Sequence, residues 1–394
     1  MVRRSTPFAE GERAMRPHVS VIVPSFNRRR MLTEALASVL GQRGVRFELI
    51  VVDDGSTDGS FEASRALLDE AFARRRNDPA GGSTDGLCSA RLERIPRRGV
   101  GAARNHGASL ADGEFLAFLD SDDLWAPLKL SRQLDFMRSC RRYPLTQTEE
   151  LWIRAGRRIN PSLRHRKRAG DIFVDSLRTC LISPSAVMIS RELFFAFEGF
   201  DPRFSACEDY DLWLRILTRH EPGLLGEPLV TRRAGHPDQL SAMTVALDRF
   251  RVITLTKLLA DPRLTGSRRE AVADVLAEKC RILAGGLARR ARAWQAELYV
   301  QAAALAEEAW RLGHLRELAR LAAALTDCGL AASNFTAPTN SARAPKRPAD
   351  LGTPGCAGHG RRVAAHGAPP PAPIANDPRC RVDELQSVSL PSLM

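Results

Sequence analysis

The sequence has few lysines, no long hydrophobic run and no clustered cysteines, and each of these absences excludes a class of protein. Lysine occurs at five positions, so arginine supplies 53 of the 58 basic residues in a chain of 394. No segment approaches the ~18 to 20 uninterrupted apolar residues that a membrane-spanning helix needs. The first 17 residues carry charges but lack the apolar core of a signal peptide. We therefore expect a cytoplasmic protein.

The eight cysteines are far apart in the sequence. They form no C-x-x-C pair and no cluster with histidine at zinc-finger spacing. This pattern predicts reduced, mostly buried thiols and no structural zinc site.

The formal net charge of +12 is typical of proteins that meet an anionic partner. No basic segment interleaved with aromatic residues, zinc finger or RNA-recognition signature accompanies the charge. An anionic substrate or an acidic membrane surface accounts for it equally well, and nucleic acid is not the expected partner.

The length and the 44% hydrophobic content predict a globular protein with two or three structural units. We divide the chain by composition and periodicity into a flexible leader, an α/β domain with a loop insertion at 74–90, an alanine- and leucine-rich helical C-terminal region, and a disordered low-complexity tail. The predicted limits of these four parts are 1–17, 18–243, 244–328 and 329–394.

Two apolar runs at the start of the α/β domain indicate buried parallel strands. Residues 19–23 are a continuous β-branched segment ending at Pro24, and residues 48–52 form a second such run. Between them, apolar residues from Met31 to Leu40 follow helical spacing. Strand, helix and strand form a βαβ unit, which predicts a mostly parallel central sheet.

Three acidic groups lie just after predicted strands or at a helix start, namely Asp53 with Asp54, Asp120 with Asp122 and Asp123, and Glu208 with Asp209. Ligands of open α/β sheets bind beyond the carboxyl ends of the strands, so these carboxylates are expected to converge on one crevice. Each group taken alone is also compatible with an ordinary turn or helix start.

Asp120 and Asp122 are separated by one residue at the end of a buried apolar strand. Carboxylates at this spacing can share a hard divalent cation such as Mn²⁺ or Mg²⁺, which takes oxygen ligands and completes its shell with phosphate and water. The alternative is an exposed acidic turn before Trp125.

Five motifs occur in an order that resembles family 2 glycosyltransferases of the GT-A fold. They are VSVIVPSFNR at 19–28, VVDDGSTD at 51–58, GVGAARNHG at 99–107, FLDSDD at 118–123 and CEDYDLW at 207–213. The resemblance runs from Val19 to about Ser241. The Gln-x-x-Arg-Trp motif of the processive synthases is absent, so the resemblance implies the inverting, non-processive type that transfers single sugars.

The resemblance implies a role for each matching residue on the donor side. Pro24, Ser25 and Asp54 would hold the base and ribose of a nucleotide sugar. Arg104 would face the diphosphate, and Asp120 would lie near the ribose and the metal.

The resemblance also implies the metal and acceptor sides of the site. Asp122 would bind Mn²⁺ or Mg²⁺, with His236 as a second candidate ligand that is also compatible with a surface loop. Asp209 matches the catalytic base, which takes the proton of the acceptor hydroxyl. Glu208 would support Asp209 or bind the acceptor, or is only a helix-start acid.

The implied function is transfer of one sugar from a nucleoside-diphosphate sugar, with UDP as the expected nucleotide, to a saccharide or lipid-linked acceptor in envelope polysaccharide or glycolipid synthesis. The basic run at 164–168 is either a solvated loop or a contact with a phosphorylated lipid or an anionic membrane, at the inner face of the cell membrane. The alternatives are a nucleotidyltransferase and a catalytically inactive GT-A-fold binding protein.

Overall fold

A computed structural model of the protein describes residues 17–77, 86–236, 244, 246–264, 266–312, 324–327 and 330. The strands are β1 (Val19–Ser25), β2 (Phe47–Asp53), β3 (Leu87–Arg94), β4 (Phe115–Phe118), β5 (Leu124–Trp125), β6 (Leu145–Arg154), β7 (Arg157–Ile159), β8 (Val187–Ser190) and β9 (Gly223–Ala234). The helices are α1 (Arg29–Leu40), α2 (Ser60–Asn77), α3 (Val100–Ser109), α4 (Lys129–Ser139), α5 (Phe173–Ser176), α6 (Arg191–Ala196), α7 (Glu208–Leu217), α8 (Asp248–Leu259), α9 (Gly266–Ala288) and α10 (Ala293–Leu312). Two short 3-10 helices cover Leu163–His165 and Pro184–Ala186.

The nine strands form one sheet in the order β3-β2-β1-β4-β8-β6-β9-β5, with β7 paired to β6. The first four strands are parallel to one another, which confirms the predicted α/β fold and its parallel half. The other half is mixed. There β8 is antiparallel to both β4 and β6, β9 is parallel to β6, and β5 is antiparallel to β9.

The central strands are buried on both faces, since most of their residues are apolar. Val21 and Val23 of β1 pack into one hydrophobic cluster, and Ile22 between them packs into another on the opposite face of the sheet. Helix α3 lies very close to β1 at Gly107, where an added Cβ would be 2.6 Å from Cγ2 of Ile22. Helix α3 therefore packs directly against the middle of β1.

The C-terminal helices extend the same core. Buried side chains of α8, α9 and α10, including Leu255, Leu276 and Tyr299, belong to the cluster that contains Ile22. Helix α8 contacts α7 and α9 contacts both α8 and α10. The predicted helical region is therefore packed onto the α/β domain, and the boundary at 243 stays a prediction drawn from the sequence.

The predicted leader and tail lie outside the described residues, except for Pro17 and Leu330. The predicted insertion at 74–90 is narrower in the structure, since α2 continues to Asn77 and β3 begins at Leu87. Residues 78–85 lie outside the described part. No helix in the described part of the chain is long and apolar enough to cross a bilayer.

Candidate active site

The turn after β4 brings three carboxylates together. Oxygen atoms of Asp120, Asp122 and Asp123 all lie within 4.8 Å of one another. The turn is closed by a backbone hydrogen bond of 3.0 Å from the Asp123 N–H to the Asp120 carbonyl. Three hard oxygen donors at this spacing fit a divalent cation such as Mn²⁺ or Mg²⁺.

Asp123 is the structural member of this cluster. Its carboxylate accepts a hydrogen bond of 2.6 Å from the Ser185 hydroxyl and one of 3.0 Å from the backbone N–H of Arg233. Burial, together with the charges of Asp122 and Asp120, raises the pKa of Asp123 well above its ordinary value. The side chains of Asp120 and Asp122 are 31% and 21% exposed and are therefore accessible to a ligand.

Asp122 is held between two cationic or polar groups from distant parts of the chain. One of its oxygens accepts a hydrogen bond of 3.1 Å from the Arg28 guanidinium and lies 2.9 Å from Nε2 of His236. His236 follows β9, so the end of that strand brings it to the acidic turn. The structure thus places the two predicted metal ligands, Asp122 and His236, side by side.

Arg104 of α3 lies between two acids. Its guanidinium donates to Asp120 at 2.6 Å and to Glu208 at 2.5 Å, and it is 3% exposed. Burial lowers the pKa of Arg104, but the charges of Asp120 and Glu208 raise it above its ordinary value. Arg104 therefore couples the acidic turn to the start of α7. Its predicted contact with a diphosphate stays a prediction.

Glu208 is buried and its visible partner is Arg104. A buried carboxylate in an ion pair presents little surface to an acceptor, and the predicted role of Glu208 in supporting Asp209 or binding the acceptor stays a prediction. Asp209, the next residue, is partly exposed. Consecutive helical residues point about 100° apart, which separates the two side chains.

Asp209 lies in the first turn of α7, where unpaired N–H groups favour a negative charge. One carboxylate oxygen accepts a hydrogen bond of 2.7 Å from the Tyr210 N–H, and the other lies 3.7 Å from Sγ of Cys180. Burial, with the charge of Asp209 adding to it, raises the pKa of the Cys180 thiol well above its ordinary value, so this neighbour is a neutral donor. Among the described residues, the second oxygen of Asp209 is thus left in contact with a neutral thiol only.

The predicted nucleotide-binding residues lie at the ends of β1 and β2. The two oxygens of Asp54 accept backbone hydrogen bonds from Arg98 at 2.7 Å and Gly99 at 2.8 Å, so Asp54 fixes the loop that enters α3. Pro24 and Ser25 lie opposite Val52 and Asp53 in the β1–β2 register. The Ser25 hydroxyl is buried without a hydrogen-bond partner among the described residues.

Sequence reasoning missed Arg232 as a member of this site, although it lies only four residues before His236. Its guanidinium lies 4.9 Å from the Trp152 ring centroid and 3.9 Å from Glu150. The charges of Asp123, Asp120 and Asp209 also act on it, which places a cation within electrostatic reach of the acidic turn and of Asp209. The sequence gives little indication of a role for Arg232, because pairs of basic residues such as 232–233 are common on protein surfaces.

We expect Arg104→Met to destabilise the protein by about 3–5 kcal/mol, since it leaves the buried Glu208 carboxylate without its counter-ion. Urea unfolding followed by circular dichroism measures this loss. The double variant Arg104→Met, Glu208→Leu should recover most of it, because both buried charges are then removed. A loss below about 1 kcal/mol in the single variant would mean that the pair contributes no more than a surface ion pair.

Known proteins are similar to this chain over the part that contains these residues. Residues 20–194 match the model of the family described as Glycosyl transferase family 2. The putative teichuronic acid biosynthesis glycosyltransferase TuaG of Bacillus subtilis is 32% identical over 206 residues, which cover 52% of this chain and 73% of that protein. The chain belongs to glycosyl transferase family 2. An uncharacterized glycosyltransferase of Rickettsia felis is 30% identical over 215 residues, covering 54% of this chain but only 32% of the longer relative.

Similarity to solved glycosyltransferase structures confirms the predicted GT-A fold. S. aureus TarS 1–349, in complex with UDP-GlcNAc, superposes with a TM-score of 0.55 at 20% identity, covering 79% of this chain and 89% of that one. The mannosyltransferase PcManGT of Pyrobaculum calidifontis, in complex with GDP-Man and Mn²⁺, gives 0.50 at 21% identity, covering 80% and 88%.

Proposed function

We propose that this family 2 member is an inverting, non-processive glycosyltransferase that moves one sugar from a nucleoside-diphosphate sugar to a hydroxyl acceptor. The observation that carries the proposal is that Arg104 is ion-paired both to Asp120 of the acidic turn and to Glu208, the residue directly before Asp209. The acidic turn would supply the cation site and Asp209 the base, and sugar transfer from a diphosphate needs both.

The donor would bind across the carboxyl ends of β1 and β2. Ser25 has a buried hydroxyl that a nucleotide could engage, and Asp54 retains lone pairs for a base N–H beyond the two backbone hydrogen bonds it accepts. We take UDP as the donor nucleotide, in line with the UDP-GlcNAc complex of TarS. The GDP-Man complex of PcManGT makes GDP the next choice.

Asp122, His236 and Asp120 would hold Mn²⁺ or Mg²⁺. When bound, such an ion neutralises charge on a departing diphosphate. Arg28 and Arg232 are the cations of this chain on the same side, and Arg104 keeps Asp120 oriented. The Mn²⁺ in the PcManGT structure supports this assignment.

Asp209 would receive the proton of the acceptor hydroxyl while its oxygen attacks the anomeric carbon and the bond to the diphosphate oxygen breaks. Direct attack opposite the leaving group inverts the anomeric configuration. Glu208 is a positioning residue in this scheme, because it acts through Arg104. We infer a saccharide or lipid-linked acceptor and a role in envelope polysaccharide or glycolipid synthesis at the inner face of the membrane, consistent with the name of TuaG.

The test is a thermal-shift panel of nucleoside mono-, di- and triphosphates, each with and without Mn²⁺, on the full chain. A ligand at 100 times its Kd stabilises the folded state by about 2.7 kcal/mol, which is readily measured. We expect UDP with Mn²⁺ to give the largest shift, followed by GDP and dTDP.

Transfer is then measured with the sugar nucleotides of the preferred base, and the anomeric configuration is read by NMR. A response to a nucleoside triphosphate with release of pyrophosphate would instead identify a nucleotidyltransferase. Binding without turnover of any donor would identify a catalytically inactive binding protein.

A further inference from the structure

A dense group of arginines lies on the β6–β7 ribbon and the 3-10 turn after it. Residues 151–168 contain seven basic side chains and no acidic one. Lys167 is buried against Glu150 at 3.2 Å, and Arg168 pairs with Asp175 at 2.5 Å. The other five, which we call the basic patch, are all exposed, namely Arg154, Arg157, Arg158, Arg164 and Arg166.

The ribbon holds two of these arginines close together. Ala155 and Gly156 have φ angles of +48° and +75°, as in a two-residue type I′ hairpin turn. The turn places Arg154 directly opposite Arg157 in the strand register. Like charges at directly opposite positions destabilise a ladder, and an anionic surface would relieve that repulsion.

The 3-10 turn adds cations and one apolar side chain to the same region. The ring of His165 packs at 5.6 Å from that of Trp152 in β6, which fixes the turn against the ribbon. Leu163 at the start of the turn is 83% exposed, next to Arg164. Cations around an exposed apolar side chain are typical of segments that bind the interface of an anionic bilayer.

A nucleic acid fits this surface less well. Proteins that bind single strands offer aromatic faces on which bases stack. Here the Trp152 ring is already covered by Arg232 at 4.9 Å and by His165.

We propose that the basic patch docks the protein on the surface of an anionic lipid bilayer, with Leu163 entering the interface. The patch is one strand away from the acidic turn, since Trp152 and Arg154 of β6 lie opposite Arg232 and Ala234 of β9. Docking would therefore hold the crevice beside the membrane. This binding is independent of the proposed sugar transfer and can be measured without a nucleotide.

The experiment is co-sedimentation of the full chain with vesicles of phosphatidylcholine containing phosphatidylglycerol, with pure phosphatidylcholine vesicles as the neutral reference. We expect binding to the anionic vesicles alone, weakening as salt rises. Each arginine near an anionic surface contributes about fivefold to binding. The triple variant Arg154→Gln, Arg157→Gln, Arg158→Gln should therefore bind about a hundredfold more weakly.

The matched control is Arg43→Gln, Arg138→Gln, Arg141→Gln, which removes the same charge from exposed positions outside the patch. It should bind far more tightly than the patch variant. Leu163→Gln should weaken the part of the binding that persists at high salt. Equal losses in the two triple variants, equal binding to neutral vesicles, or displacement from vesicles by a single-stranded RNA that binds the patch more tightly would each overturn the proposal.

Discussion

Asp209→Asn is expected to lower sugar transfer by roughly a hundredfold or more, the usual effect of losing a general base. Asparagine keeps the shape and the hydrogen bond from the Tyr210 N–H, which is 2.7 Å long, but has no charged oxygen to take the acceptor proton. Initial rates with saturating donor measure the loss. Thermal shifts with UDP and Mn²⁺ should be the same for the variant and the parent protein, since Asp209 does not belong to the cation-binding turn.

One control variant tests whether removing any exposed helical carboxylate lowers the rate. Asp135→Asn changes an exposed helical acid in α4 and should leave the rate near that of the parent protein. The product of the parent enzyme should have the inverted configuration. Near-normal transfer by Asp209→Asn would show that Asp209 is not the base. A product that retains the donor configuration would exclude a single displacement.

The parallel half of the sheet could be predicted because its strands are buried on both faces. The predicted strands at 19–23 and 48–52 lie inside β1 and β2, which extend to Ser25 and Asp53. A continuous β-branched run has few other structures available to it. The helix predicted to open at Glu208 is also confirmed as α7.

The other half of the sheet could not be predicted in this way. Strand β6, β7 and the turn at Leu163–His165 fall in the polar, basic segment from 146 to 168, which has no apolar period. There the strands are fixed by pairing with β8 and β9 and by a buried pair between Lys167 and Glu150. Such contacts depend on residues far apart in the sequence.

In the candidate site, too, local features could be predicted and contacts between distant residues could not. The carboxylates were predicted from strand ends, because position after a strand is a local property. The pairing of Arg104 with Glu208 was not predicted, since these residues are 104 positions apart, and His236, 114 positions from Asp122, was named only through the family resemblance. The sequence shows which acids end the strands, whereas the fold decides which cation each of them meets.

Asp122→Ala should weaken Mn²⁺ binding by at least about a hundredfold, since loss of a mere supporting partner of a metal ligand already costs 10- to 100-fold. The apo protein should unfold at nearly the same temperature, because the Arg28–Asp122 ion pair is partly exposed and contributes little. Isothermal titration with Mn²⁺, alone and with UDP, measures the affinity without reference to turnover. Asp123→Asn is the matched control and should bind Mn²⁺ much more tightly than Asp122→Ala, because both Asp123 oxygens are already occupied by Ser185 and the Arg233 N–H. If Asp122→Ala bound Mn²⁺ as the parent protein does, the cation would have to be held elsewhere, and Asp122 would serve only as the counter-ion of Arg28.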